Sequence, residues 1–333
     1  MVMSDMLIDA ALVVAGLILL LVAGDWLVRG AVGLATQLGI DSLLIGLTIV
    51  AFGTSAPELV VSIQAVISGD NGIAVGNIVG SNIANILLVL GLPAILAPIT
   101  LSFPGLRRHT GVMLVATALF AYIIYGRQVL DTPMGLLLLA GIAAYVAYVA
   151  WSAMRPNSKE RELIEAEVAG DIPGGHLHST PKILGFLVAG LIGLPIGATL
   201  LVNSGADLAS GLGVRDELIG LTIVAFGTSL PELATVWAAA RKGEADVACG
   251  NIVGSNIFNI MFVGGTMGVF GTTTFTEDTR LYDLPVMIAA ALILAAMIFA
   301  KSKITRLTGV IFTLAYVVYI VAIGAGADPE LPV

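Results

Sequence analysis

The sequence predicts an all-α membrane protein: ten transmembrane helices in two inverted five-helix repeats. Three observations predict it. Of 333 residues, 58% are hydrophobic and only 11% charged, with a mean hydropathy of +1.01; soluble domains carry about 25% charged residues. Apolar runs of about 20 residues, the length that crosses a bilayer, recur along the whole chain. Finally, residues 46–91 return as residues 220–265 at a constant offset of 174, with 28 of 46 positions identical and no gap.

The spans fall at about 7–30, 43–68, 73–98, 109–126, 133–153, 182–204, 217–241, 246–270, 284–300 and 305–325. Short gaps between them carry turn residues, such as Gly69-Asp70-Asn71-Gly72 and Phe103-Pro104-Gly105. The first apolar run starts almost at once, is long, and has Asp5 and Asp9 near its start, unlike a cleavable signal peptide. The one long polar stretch, 155–181, reads as a linker, with a short helical turn at Lys159–Glu167. The domain plan is therefore a first repeat at 1–154, the linker at 155–181 and a second repeat at 182–333.

Lys and Arg set the orientation. Numbering the loops alternately puts 12 of the 15 basic residues on the linker's side and 3 (Arg127, Arg215, Arg280) on the other. The linker is then cytoplasmic and both termini lie outside. Each repeat has an odd number of spans, so the second copy enters the membrane upside down, a recurring design of secondary transporters. No basic tract calls for nucleic acid, and the lone Cys249 excludes an internal disulfide. The partners expected are the lipid bilayer and small cations, with no cofactor and a monomer as the functional unit.

The chemistry sits in the repeated block. Each copy places one acid, Glu58 or Glu232, inside strongly apolar sequence, just after Pro57 or Pro231. A mid-span proline frees backbone carbonyls, which persist in a bilayer only where protein, water or an ion satisfies them. Thr54 and Ser55 precede Glu58 by four and three residues and share its helical face, as Thr228 and Ser229 do for Glu232. The second motif, GNIVGSNIxN, aligns Ser81 with Asn85 and Ser255 with Asn259. Its glycines (Gly76 and Gly80, Gly250 and Gly254) have the small-xxx-small spacing that lets helices approach closely. Asn77, Asn82, Asn251 and Asn256 fall on other faces and read as hydrogen-bonding links between helices.

No Lys or Arg lies mid-span near either acid. An ionised carboxylate in hydrocarbon needs a partner or a cavity. One divalent cation bridging both acids supplies it, and so does a proton on each. The ligands are carboxylate, hydroxyl, amide and carbonyl oxygens, a hard-cation set. Ca²⁺ takes about 6–8 oxygens in flexible geometry, whereas Mg²⁺ sheds water reluctantly. The bland alternatives are a protonated helix-packing Glu and polar residues that merely join spans. Asp25 reads as interfacial. Asp207, Asp216, Glu217, Glu277 and Asp278 read as solvated loop charges, and His109, His176 and His178 as loop residues too far apart for a metal site.

The paired GTSxPE and GNIVGSNIxN blocks resemble the two α-repeats of the calcium/cation antiporter superfamily, in particular its prokaryotic sodium/calcium exchangers. The resemblance implies that Glu58 and Glu232 hold Ca²⁺ with the backbone carbonyls of Thr54 and Thr228. It implies flanking Na⁺ sites from the Ala51 carbonyl, Thr54, Ser55, Glu58 and Ser81, and from the Ala225 carbonyl, Thr228, Ser229, Glu232 and Ser255. Asn85 and Asn259 would complete the middle position. Spans one and six would slide across a rigid core, exchanging about three Na⁺ for one Ca²⁺ across the plasma membrane. Where Asn259 stands, some relatives carry Asp, which leaves two carboxylates here and weakens the case for co-transported K⁺. The 155–181 linker is too short for the large regulatory region of animal exchangers. Ca²⁺/H⁺ exchange is the alternative function. A channel would need a continuous polar stripe, and an intramembrane hydrolase would need a water-activating group; the sequence offers neither, so no enzyme activity is expected.

Overall fold

In the computed structural model, residues 3–154, 179–212 and 225–326 are described. They are almost entirely helical. In chain order, α1 spans Met3–Leu38, α2 Ser42–Thr54, α3 Ala56–Ser68, α4 Asn71–Leu96, α5 Leu106–Arg127 and α6 Thr132–Ala153. The second part holds α7 (Thr180–Gly211), α8 (Leu230–Lys242, after a turn of helix at Ala225–Gly227), α9 (Ala245–Phe270), α10 (Thr279–Phe299) and α11 (Arg306–Gly326). Among the described residues, eight helices are long and apolar enough to cross a membrane, and α2 with α3, bent by 41°, makes a ninth. The expected seventh span, 217–241, begins in residues outside the description, as do Asp216, Glu217 and the helical turn expected at 159–167.

Two of the expected spans are longer than the bilayer requires. The helix expected at 182–204 runs from Thr180 to Gly211, and the one expected at 7–30 runs to Leu38. No proline or turn stops either at the apolar boundary, so the helix continues beyond it. These two helices pack side by side and antiparallel. A Cβ on Gly16 would lie 2.8 Å from the Gly197 carbonyl, one on Gly30 would lie 2.7 Å from Leu187, and Gln37 Nε2 donates to Thr180 Oγ1 at 2.5 Å. They are the first helices of the two copies. They meet in an apolar cluster (Leu20, Ala23, Leu27, Leu187, Leu194) separate from the main core, which Ile45 and Val50 of α2 and Leu230 and Ala234 of α8 also join. Asp25 joins this layer to α8: it accepts from Arg29 at 2.7 Å and from Lys242 at 2.6 Å, fitting an interfacial place rather than a ligand role.

The main core is built on α4 and α9, which are nearly all buried. Four two-residue strands lace the copies together. These are β1 (Ile99–Thr100), β2 (Val129–Leu130), β3 (Thr273–Thr274) and β4 (Lys303–Ile304). β1 pairs antiparallel with β4, Ile99 opposite Ile304; β2 pairs antiparallel with β3, Leu130 opposite Thr273. The offset of 174 maps one pairing onto the other, so these two ladders are equivalent under the sequence repeat.

One placement differs from expectation. His109 is not a loop residue. It is fully buried in the first turn of α5, its Nδ1 is 3.2 Å from the Tyr145 hydroxyl, and its ring meets Tyr145 and Tyr148. Gly105, at φ +80°, starts the helix earlier than the apolar run suggests, and two tyrosines of α6 supply an amphipathic pocket for the ring. Asp207, Glu277 and Asp278 are exposed, as expected, but sit on helical turns rather than in loops.

Candidate cation site

The site forms where the two repeated blocks cross. Ser55 takes a non-helical conformation (φ −82°, ψ 4°) between α2 and α3, and Ser229 repeats it (φ −86°, ψ 2°) before α8. Pro57 and Pro231 cannot donate the hydrogen bond that would carry the helix through, so it breaks. Glu58 and Glu232 thereby fall in the first turn of a new helix. There the free N–H groups and the helix dipole favour negative charge.

Both carboxyl groups are completely buried, and among the described residues no hydrogen bond reaches any of their four oxygens. They lie within Coulombic reach of each other. Ser55 Oγ, Ser229 Oγ, Asn85 Oδ1 and both amide atoms of Asn259 are also buried without partners. Buried polar atoms are ordinarily hydrogen-bonded, and each exception needs a reason. Ser55 and Ser229 each stand one helical turn before an acid, and among the described residues no ion pair reaches either acid.

Close helix packing assembles the set. A Cβ on Gly254 would lie 2.7 Å from Ala51 Cβ and from the Leu47 carbonyl; one on Gly250 would lie 2.6 Å from the Leu43 carbonyl. The α2 and α9 backbones therefore touch, and Thr54 Oγ1 comes within 3.3 Å of Ser255 Oγ across the two copies. The residues equivalent to Leu43, Leu47 and Ala51 in the second copy, 217, 221 and 225, lie outside the described side chains. Thr228 is half-buried and donates to Asn77 Oδ1 at 3.4 Å. Ala51 is buried against α9.

Two features have no signature in the sequence. Asn85 and Asn259 each open a π-helical turn, Asn85–Val89 and Asn259–Val263, and the Leu90 N–H donates to the Asn85 carbonyl at 3.2 Å. Such turns widen a helix and recur at functional sites. Asn256 Oδ1 accepts from Asn85 Nδ2 at 3.0 Å, leaving Asn85 Oδ1 directed elsewhere. The expected linking role of the other asparagines holds for Asn77 and Asn256; Asn82 instead donates to Ile78 O within its own helix, at 2.7 Å. Among the described residues no cluster of three or more His, Cys, Asp or Glu exists. The oxygen set thus has two acids and depends on neutral donors for the rest.

A family model described as sodium/calcium exchanger protein matches residues 8–154 and 182–324. Sodium/calcium exchanger MaX1 of Methanosarcina acetivorans is 34% identical over 348 aligned positions, covering 95% of this chain and 98% of its own. Inner membrane protein YrbG of Escherichia coli is 35% identical, covering 95% and 96%. A solved structure of the sodium-calcium exchanger NCX_Mj, soaked with zero Na⁺ and Ca²⁺, superposes with a TM-score of 0.80 at 30% identity, over 95% of this chain and 99% of that one. The chain is a multi-pass membrane protein and belongs to the sodium/calcium exchanger family of transporters.

Proposed function

We propose that this protein is a secondary antiporter that moves Ca²⁺ against Na⁺ across the plasma membrane, about three Na⁺ for each Ca²⁺, by alternating access. The observation that carries the reading is the pair of fully buried acids, one from each copy, whose four oxygens have no hydrogen bond and no basic partner among the described residues. A divalent cation neutralises both. When it leaves, the same oxygens with Thr54, Ser55, Ser81, Thr228, Ser229 and Ser255, and the carbonyls of Ala51 and Ala225, offer smaller clusters for Na⁺. Asn85 and Asn259 serve the central position.

In this reading residues 1–154 and 182–333 are inverted five-helix repeats, joined by a cytoplasmic linker at 155–181, with both termini outside and a monomer as the working unit. The antiparallel packing of α1 against α7 supports inversion, since equivalent helices of the two copies run in opposite directions.

Reconstituted vesicles test the driving ion. With pH clamped, vesicles loaded with Na⁺ take up Ca²⁺ from Na⁺-free buffer, and an inside-positive potential accelerates uptake, because net positive charge leaves with each cycle. Uptake that ignores Na⁺ and follows an imposed proton gradient would replace the sodium reading with Ca²⁺/H⁺ exchange.

A further inference from the structure

We propose that Asn251 is a positioning residue of this site. Its side-chain carbonyl takes the protons of two hydroxyls, those of Thr54 and Ser255, and so turns both oxygens' lone pairs toward the cation. The proposal rests on the reading of Thr54 and Ser255 as cation ligands.

A hydroxyl has one proton to donate and two lone pairs to offer. It ligates a cation only when its proton points elsewhere. In water the solvent takes that proton; at a site where Thr54, Ser255 and Asn251 are all fully buried, a protein acceptor must. Asn251 Oδ1 lies 3.1 Å from Thr54 Oγ1 and 3.3 Å from Ser255 Oγ, and its two lone pairs match the two donors. Two other acceptors compete for the Thr54 proton, Ser255 Oγ at 3.3 Å and the Ala51 carbonyl at 3.4 Å, and both are farther than Asn251 Oδ1. One amide thus orients a ligand from each copy, at the place where Gly250 and Gly254 bring the backbones together.

The mirror residue shows why Asn251 stands out. Asn77 also receives a hydroxyl, Thr228, but its Nδ2 donates to the Glu58 carbonyl at 2.9 Å and to Ser62 Oγ at 2.8 Å, which ties it into helix packing. Val236 stands at the position equivalent to Ser62, and Asn251 Nδ2 is buried without a partner. The acceptor oxygen is therefore the atom of Asn251 that forms hydrogen bonds here.

That asymmetry supplies the test. Asn251→Leu keeps the side chain's approximate size and removes the acceptor. Asn251→Asp keeps an acceptor oxygen and exchanges the unbonded N–H₂ for a second oxygen and a negative charge, which itself favours a cation. In Ca²⁺-loaded vesicles, Asn251→Leu is expected to raise about tenfold the external Na⁺ concentration that half-saturates Ca²⁺ release, the consequence of losing a buried hydrogen-bond acceptor. Asn251→Asp should match the unmodified protein or bind Na⁺ more tightly. If Asn251→Leu does not fold, Asn251→Ala carries the same expectation without added bulk. Unchanged half-saturation without the acceptor overturns the proposal, and so does equal impairment of the Leu and Asp variants, which would mark a purely structural residue. Normal transport by Glu58→Gln would instead remove the cation-site reading beneath it.

Discussion

Glu58→Gln and Glu232→Gln are each expected to abolish Ca²⁺ transport while leaving the protein folded. The amide keeps the shape and removes one of two charges facing the ion. Removing one partner of a buried charge pair costs about 3–5 kcal/mol, roughly 100- to 1,000-fold or more in affinity. Neither carboxyl group makes a hydrogen bond that its loss would break, and neither has a basic partner to be left alone. The substitution also removes a buried acid that the fold must accommodate. The ion-free unfolding temperature should therefore hold or rise, while the stabilisation given by added Ca²⁺ disappears. Isotopic Ca²⁺ uptake and thermal unfolding in detergent read both effects. Either variant transporting at more than about a tenth of the normal rate would contradict the assignment.

Gly254→Leu is expected to abolish transport by a different route, through the fold. The first added carbon would already sit 2.7 Å from the Leu47 carbonyl and 2.9 Å from Leu47 Cα. These are backbone atoms, which cannot swing aside as a side-chain tip does. Overpacking costs about 1–3 kcal/mol where neighbours yield, and more where they do not. Relief would come from pushing α9 off α2, which separates Thr54 from Asn251 and Ser255. Gly111→Ala is the control: it lies within α5, has no described atom within 4 Å of the added carbon, and should cost nothing or stabilise slightly. Retained activity in Gly254→Leu would mean that α2 and α9 need not touch for transport.

The sequence revealed most of the architecture because bilayer solvation leaves so few choices. A long apolar run has to be a helix, and a 174-residue repeat has to place equivalent residues alike. Glu58, Glu232, Thr54, Ser81 and Asn85 stand out in the sequence because polar groups in apolar sequence are costly without a task, and the fold buries all five. The bend at Ser55 followed from Pro57. What escaped was set by contacts between distant segments. A π-turn at Asn85 reflects how α4 packs, and nothing in NILLV distinguishes it from ordinary helix. His109 read as loop because a lone imidazole beside two arginines looks solvated until Tyr145 and Tyr148 arrive from another helix. The service of Asn251 to two hydroxyls depends on α2, about 200 residues away along the chain.

The two strand pairs carry a consequence for how the molecule can rearrange. A two-residue ladder is too small to survive alone, yet each one clasps a segment of the first copy to a segment of the second. Neither half owns a complete clasp, so the halves behave as a fused, obligate dimer, pinned at two related points like a hinge with both bolts driven home. α1 and α7 enter neither ladder; packing on Ile45, Val50, Leu230 and Ala234 and the Asp25–Lys242 pair are what moor them to the clasped bundle.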